Sequence, residues 1–191
     1  MTPSSCHTHR VTEIWTTLDS PIGALTLTSD GEALTRLFMH DQAHAPSLAG
    51  VAHGRRDDSW FVSIAAQLTA YFAGDLRTFD IPMHRQGTAF QQSVWQQLCA
   101  IPYGTTISYG TLAEQVGNPK ASRAVGLANG RNPIGIIVPC HRVIGANGSL
   151  TGYGGGLERK AWLLNHERAD LRTVVTRSGP ADRAHTPSLF S

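Results

Sequence analysis

Apolar and polar residues alternate between positions 11 and 40. Val11, Ile14, Trp15 and Leu18 lead into Asp19-Ser20-Pro21-Ile22-Gly23, where Pro and Gly mark a turn. Leu25 and Leu27 then alternate with Thr26 and Thr28, Asp30-Gly31 makes a second turn, and Leu34, Leu37 and Phe38 follow. The pattern predicts a short antiparallel meander. Residues 41–58 are polar around Pro46, Gly50 and Gly54 and read as a loop. Phe61, Ile64, Leu68, Tyr71 and Phe72 recur at helical spacing, with Gly74 placed to end that helix. Residues 78–83 read as a last short strand.

A second unit begins near Gly87. Thr88-Ala89-Phe90-Gln91 has the form of a capping box, and Phe90, Val94 and Leu98 line one helical face. Ile101-Pro102-Tyr103-Gly104 stops that helix. Ser108 is placed to cap a helix carrying Leu112, Ala113 and Val116 inward, with Gly117 at its exit. Asn118-Pro119 predicts the start of the next helix, Asn as cap and Pro at the first helical position, ending at Asn129-Gly130. Two short helices joined by a tight turn are a helix-turn-helix candidate. The apolar run Ile134-Gly135-Ile136-Ile137-Val138, too short for a helix, leads into Pro139-Cys140-His141-Arg142-Val143-Ile144. Asn147-Gly148 predicts a hairpin turn, and Thr151-Gly152-Tyr153-Gly154-Gly155-Gly156 a glycine loop. Leu157, Ala161 and Leu164 mark a last helix ending near Glu167. The chain thus divides into a flexible start at 1–10, an α/β unit at 11–86, a mainly helical unit at 87–167 and a mobile tail at 168–191.

Composition narrows the class. Apolar types make up 41% of 191 residues, enough for a core, and no stretch approaches the roughly 20 apolar residues that cross a bilayer. The polar start is unlike a secretory signal, and three cysteines (Cys6, Cys99, Cys140) are too few for a disulfide scaffold. These features place the protein in the cytoplasm, with free thiols. The net charge of +2 conceals an asymmetry: residues 1–110 balance at −3 and residues 111–191 at +5. No acid lies between Glu114 and Glu158, an interval holding Lys120, Arg123, Arg131 and Arg142. Such a segment is either a solvated basic face or a surface for a polyanion.

Candidate chemistry centres on Cys140. A thiolate is favoured by neighbouring basic groups, and His141 and Arg142 follow at once, although sequence neighbours need not face each other. The alternative is a structural cysteine, which is how Cys99, between Leu98 and Ala100, reads. Glu167 sits at a helix C-terminus, where the macrodipole disfavours an anion. It is either solvated or paired, and His141 is the obvious partner in a Glu–His–Cys relay. The glycine loop lacks the spacing of a P-loop or dinucleotide fingerprint and suits a backbone bent around a flat ligand. The scattered His residues lack metal-ligand spacing, so neither a metal nor a cofactor is expected.

The Pro139-Cys140-His141-Arg142-Val143-Ile144 segment resembles the O6-alkylguanine-DNA alkyltransferase family. So do Ile101-Pro102-Tyr103-Gly104, Ser108-Tyr109, the run from Gly117 to Gly126, Asn132-Pro133, Tyr153, Gly155-Gly156 and the Leu163-Leu164-xx-Glu167 end. The resemblance is strong over residues 87–167 and extends weakly to residue 11. It implies a small RNase H-like antiparallel sheet with a helix, followed by a helical domain containing the helix-turn-helix. It also implies direct DNA repair: one irreversible transfer of an alkyl group from O6 of guanine, or O4 of thymine, to Cys140, without cofactor. His141 would act as base through a water, with Glu167 orienting it. Tyr109 would protonate the leaving guanine, and Asn132 would brace the turn before the cysteine strand. Val143 and Gly154 would hold the guanine edge through their backbone, with Tyr153 and Gly155 forming the pocket. Arg123 would fill the space left by the flipped nucleotide. Ala124 would allow minor-groove approach, and Lys120, Ser122 and Arg131 would contact the backbone. The implied partner is duplex DNA carrying alkylated guanine, bound by a monomer that could cluster along it.

The resemblance is not complete. Gly154 stands where some relatives have Ser, and the zinc ligands of some relatives are missing. Two rival readings remain: a lesion-binding or regulatory protein that leaves Cys140 unmodified, and a cysteine hydrolase with turnover. Relatives that only bind lesions carry Trp in place of the cysteine, and the acid-free basic segment speaks against a hydrolase.

Overall fold

The structure, a computed structural model, describes residues 13–43 and 54–167. The expected flexible ends lie outside these residues, as does Cys6. Strands β1 (Ile14–Leu18), β2 (Leu25–Ser29) and β3 (Leu34–Met39) form the expected antiparallel meander. The turns between them close through the predicted groups. Gly23, at φ 101°, donates back to the Ser20 carbonyl, and Asp30 Oδ1 accepts from the Glu32 and Ala33 amides.

The sheet is nevertheless mixed. Arg55–Arg56, within the segment expected to be loop, forms β4 and pairs in parallel with β1, giving the order β3-β2-β1-β4. Its two residues carry no hydrophobic alternation, so nothing local announced the strand. Residues 78–83 do not form a strand. Met83 makes one isolated bridge to Leu34, while the Gln67 side chain takes both backbone groups of Asp80 at 2.8 Å, and Pro82 has no N–H to give.

Helix α1 (Val62–Ala73) packs Ile64, Leu68 and Tyr71 inward and ends at Gly74, φ 87°. Helix α2 (Ala89–Cys99) begins with the predicted Thr88–Gln91 capping box. Trp95 of α2 donates from Nε1 to the Ala128 carbonyl at 2.9 Å, pinning the far end of the helix-turn-helix. That motif consists of α3 (Tyr109–Gln115), capped by Ser108, and α4 (Ser122–Gly130). Helix α4 starts later than Asn118-Pro119 predicted. The Ala121 amide bonds the Asn118 carbonyl at 2.9 Å, so residues 118–121 close a turn with Pro in its second position, and helical bonding begins at Ala121.

Helix α5 (Leu157–His166) ends at Glu167. The Asn147-Gly148 turn folds back on itself through Gly145 and Ser149 but opens no hairpin. Instead β5 (Ile107–Ser108) pairs in parallel with β6 (Val143–Ile144). One hydrophobic cluster runs from Leu27 and Leu37 of the sheet to Val138 and Leu163 beside the site. The outer edge of β3 is covered by the chain itself: Leu37 exchanges backbone bonds with Pro133 and Gly135. The segment approaching Cys140 is thereby anchored to the sheet. Among the described residues no helix is long and apolar enough to cross a membrane.

Candidate active site and nucleic-acid interface

Cys140, His141 and Arg142 form a single 3-10 turn rather than a strand, and all three are buried. The apolar residues before them form turns, because Asn132 takes the groups that a strand would use. Its Nδ2 donates to the Val138 carbonyl at 2.8 Å and the Ile134 carbonyl at 3.3 Å, and its Oδ1 accepts from the Ile134 amide. Ile136 sits at φ 68°, a left-handed conformation that costs a β-branched residue about 1–3 kcal/mol.

Glu167 is paired, not solvated. Its Oε1 accepts from His141 Nε2 at 2.9 Å, Arg142 Nη2 at 2.8 Å and the Tyr71 hydroxyl at 2.8 Å. Its Oε2 accepts from Arg142 Nε at 2.8 Å and the Gly104 amide at 3.2 Å. Burial alone would raise this carboxyl, but the His141 and Arg142 contacts overcome it and hold the pKa well below the usual range. Gly104 is required here: at φ 73°, a Cβ would lie 2.8 Å from the Glu167 carbonyl oxygen.

Burial pushes the His141 pKa down, and this outweighs the upward pull of Glu167. The ring is therefore neutral, with its proton on Nε2 facing the carboxylate. Its Nδ1 is a bare acceptor that no group among the described residues reaches. The Cys140 thiol is pushed up by burial, while the Asn132 amide and the Lys160 charge act the other way.

Lys160 escaped the sequence reading. It is wholly buried, and its Nζ donates to the Val143 carbonyl at 2.6 Å and the Thr151 carbonyl at 2.7 Å. Burial lowers its pKa to about 8. The ammonium lies 5.9 Å from the centre of the Tyr109 ring. The Tyr109 hydroxyl donates to the Thr151 and Gly152 carbonyls at 3.1 and 3.2 Å. Its pKa is raised, first by burial and then by Cys140, so it holds its proton. Gly152, at φ 60°, permits this approach, since a Cβ there would come 3.0 Å from the hydroxyl.

Tyr153 has an enclosed hydroxyl without a partner among the described residues. The Gly154 carbonyl accepts from Ala43, and Gly155 is buried where a Cβ would meet Met39 Sδ at 2.5 Å. Beyond Tyr109 an open, mostly apolar groove of about 530 Å³ is lined by Ser122, Arg123, Gly126, Leu127, Thr151 and Gly152. Lys120, Arg123, Ala124 and Arg131 of the helix-turn-helix and its flanks are exposed, and Arg123 lines this groove.

Two readings need correction. Arg142 belongs to the interior and not to the basic surface, which keeps Lys120, Arg123 and Arg131. Cys99 is exposed, with Arg85 Nη1 at 3.2 Å from its sulfur, and is no core residue. Besides Lys160, sequence reasoning missed Tyr71, Gly104, Arg142 and Asn129. A signal existed for two of them. Lys160 precedes Leu163 and Leu164 by three and four residues, and Asn129 follows Val125 by four, so each shares a buried helical face.

A helix-turn-helix with an exposed basic face, set over a buried cysteine whose neighbouring imidazole is held by a carboxylate, defines a DNA-binding protein with a reactive thiol. Comparison with known proteins gives the particular family. Residues 14–84 match the 6-O-methylguanine DNA methyltransferase, ribonuclease-like domain, and residues 89–169 match the DNA binding domain of the same family. The chain is 56% identical over 160 residues to the methylated-DNA–protein-cysteine methyltransferase of Mycobacterium tuberculosis, covering 84% of this chain and 95% of the relative. It is 51% identical over 155 residues to that of Methanosarcina acetivorans, covering 78% and 94%. The crystal structure of Mycobacterium tuberculosis O6-methylguanine methyltransferase superposes with a TM-score of 0.75 at 53% identity, covering 89% of this chain and 96% of that one. That of Mycobacterium tuberculosis OGT in complex with DNA superposes at 0.76 and 52% identity, covering 84% and 98%. The chain belongs to the 6-O-methylguanine DNA methyltransferase family.

Proposed function

We propose that Cys140 is the residue that takes the alkyl group, once and irreversibly, when this methylated-DNA–protein-cysteine methyltransferase repairs DNA. The observation that carries this reading is the state of His141: neutral, its Nε2–H held by Glu167, and its Nδ1 free. That nitrogen takes the thiol proton through a water. The thiolate then attacks the O6-alkyl carbon, forming the S–C bond as the C–O bond breaks. The electron pair leaves with guanine, which receives a proton from the Tyr109 hydroxyl. Lys160 beside the Tyr109 ring stabilises the negative charge this leaves behind. The proton taken up at His141 then returns through water to the Tyr109 phenolate, so that overall one thiol proton is exchanged for one alkyl group, and neither metal nor cofactor takes part.

A thiol this buried cannot reach a stacked base, so the nucleotide is extruded at a cost of a few kcal/mol. Arg123 fills the gap it leaves, and Ala124 lets the helix approach the minor groove, which carries little sequence information. Lys120, Ser122 and Arg131 contact the phosphate backbone. Tyr153, Gly154, Gly155 and the Val143 backbone form the pocket, and O4-alkylthymine presents the same alkyl–oxygen bond on a smaller ring. Asn132 keeps the turn before Cys140 in shape. The protein acts as a monomer in the cytoplasm, a reading supported by the free thiols of Cys99 and Cys140. Residues 11–86 and 87–167 are its two structural units.

Intact-protein mass spectrometry after mixing with an O6-methylguanine duplex tests the reading. One methyl per chain, mapped to Cys140 and absent in Cys140→Ser, is expected. An unmodified chain that still binds the duplex would favour lesion recognition without transfer.

A further inference from the structure

Tyr153, Gly154 and Gly155 stand between two glycines of positive φ, Gly152 at 60° and Gly156 at 90°. Glycine has no side chain to lodge in a core, so the backbone bonds of such a segment decide where it sits. Two of these bonds lead to the sheet unit. The Gly154 carbonyl accepts at 2.8 Å from the amide of Ala43, a few residues past the end of β3. The Gly155 carbonyl accepts from Arg159 Nη1 at 3.0 Å, and Arg159 Nε donates at 2.9 Å to the carbonyl of Ile22 in the β1–β2 turn.

Arg159 reaches Ile22 across 137 positions. Its Nη2 lies against the same turn, where a Cβ on Gly23 would come within 3.7 Å of it. Both of its partners are carbonyls and neither is a carboxylate, so the planar fork bridges two loops instead of forming half of an ion pair. Burial and then Cys140 raise the Tyr153 pKa, and the Arg159 charge opposes them, which sets the guanidinium, the pocket wall and the reacting sulfur in one neighbourhood. We propose that Arg159 is a positioning residue for alkyl transfer, pinning the Gly155 carbonyl to the β1–β2 turn and so fixing the width of the pocket in front of Cys140. The sheet unit thereby acts on the reaction without touching the substrate. A pinned wall fits a small alkyl group and resists a large one, whereas a released wall gives way between its two flanking glycines. The inference rests on the reading that Tyr153, Gly154 and Gly155 form the pocket.

Single-turnover transfer from two duplexes tests it, one carrying O6-methylguanine and the other O6-benzylguanine. Their intrinsic difference in reactivity cancels when the benzyl-to-methyl rate ratio of each variant is divided by the native ratio. In Arg159→Met, which keeps the stem and removes the fork, that ratio rises about tenfold, the worth of one hydrogen bond from a charged donor. Arg159→Lys, whose single ammonium lacks the fork, moves the ratio the same way should the methionine variant melt early. Ile64→Ala, a core change in α1, lowers stability without releasing the wall and keeps the native ratio. An unchanged ratio in Arg159→Met, or an equal rise in Ile64→Ala, overturns the inference while the repair reading stands. No alkyl group on Cys140 from either duplex overturns that reading, and the inference with it.

Discussion

Two histidine–carboxylate pairs stand in this molecule at nearly the same separation, and they differ in everything else. His84 and Asp30, where the end of the sheet meets the chain leading into α2, are 2.7 Å apart with side chains 57% and 29% exposed. His141 and Glu167 are 2.9 Å apart and wholly enclosed. At the surface the Asp30 hydrogen bond and charge dominate, and the His84 pKa is raised. In the interior burial dominates, and the His141 pKa is lowered although its partner is ionised. One geometry thus favours the cation in one region and the neutral base in the other. The difference comes from solvent and from Arg142, which already neutralises Glu167 through two bonds at 2.8 Å.

The sharpest way to break this contrast is to remove the interior carboxylate. In Glu167→Ala the buried Arg142 guanidinium keeps its bond to the Ile101 carbonyl but loses its counter-charge, and the Tyr71 hydroxyl and Gly104 amide lose their acceptor. Breaking such a pair costs about 3–5 kcal/mol. For a chain of this size that lowers Tm by roughly 10 °C. A melting curve within about 2 °C of the native one would show that the interior pair is no more important to stability than a surface one.

Glu167→Gln keeps the shape and removes the charge. Transfer to Cys140 slows about a hundredfold, the range for one general-base partner, while DNA affinity is nearly unchanged. Equal transfer rates in the two proteins would take Glu167 out of the relay. The native rate falls in acid, as pH drops through a His141 pKa that lies below 6.5, and falls again in alkali as Lys160 loses its proton at about pH 8. Arg123→Ala is the complementary change on the exposed face. It slows transfer from duplex DNA about tenfold and leaves transfer from the free alkylated base unaltered. A loss of the same size on both substrates would contradict a role in holding the duplex open.

The contrast also explains what could be read from the sequence. Gly74, the Thr88–Gln91 box, Ser108 and Gly117 act on residues within one turn of themselves, so their roles were visible in the local pattern. Cys140, His141 and Glu167 were recognisable as a set, and the pairing of the last two was legible as one of two options. The rest of the interior was not. Tyr71 reaches Glu167 across 96 positions and Arg142 across 25, and no periodicity records such contacts. The parallel pairings of β4 with β1 and of β5 with β6 join two-residue segments too short to carry an alternation. At residues 78–83 and 134–138 the side chains of Gln67 and Asn132 occupy backbone groups that a strand would have used.

The smallest effect belongs to the surface pair. Burial is the largest single influence on Asp30 and raises its pKa, but the His84 hydrogen bond, the Ala33 and Glu32 amides and the His84 charge together outweigh it and bring it to about 2, from 3.8. His84 is raised above 6.5 by the Asp30 hydrogen bond, the Asp30 charge and, more weakly, Glu32. Stability from a raised histidine is fully present below 6.5 and lost as pH rises through the folded value. Stability from a depressed carboxyl is present above 3.8 and lost as pH falls through about 2. The native protein therefore exceeds His84→Ala in Tm most clearly between about pH 4 and 6, by a degree or so, and the curves converge in alkali. The same comparison at 1 M salt shrinks the gap further, because exposed charges are screened. A gap that persists in alkali would mean that His84 acts through the packing of its side chain and a hydrogen bond from the neutral ring to Asp30, leaving the charge contrast between the two pairs to His141 and Glu167 alone.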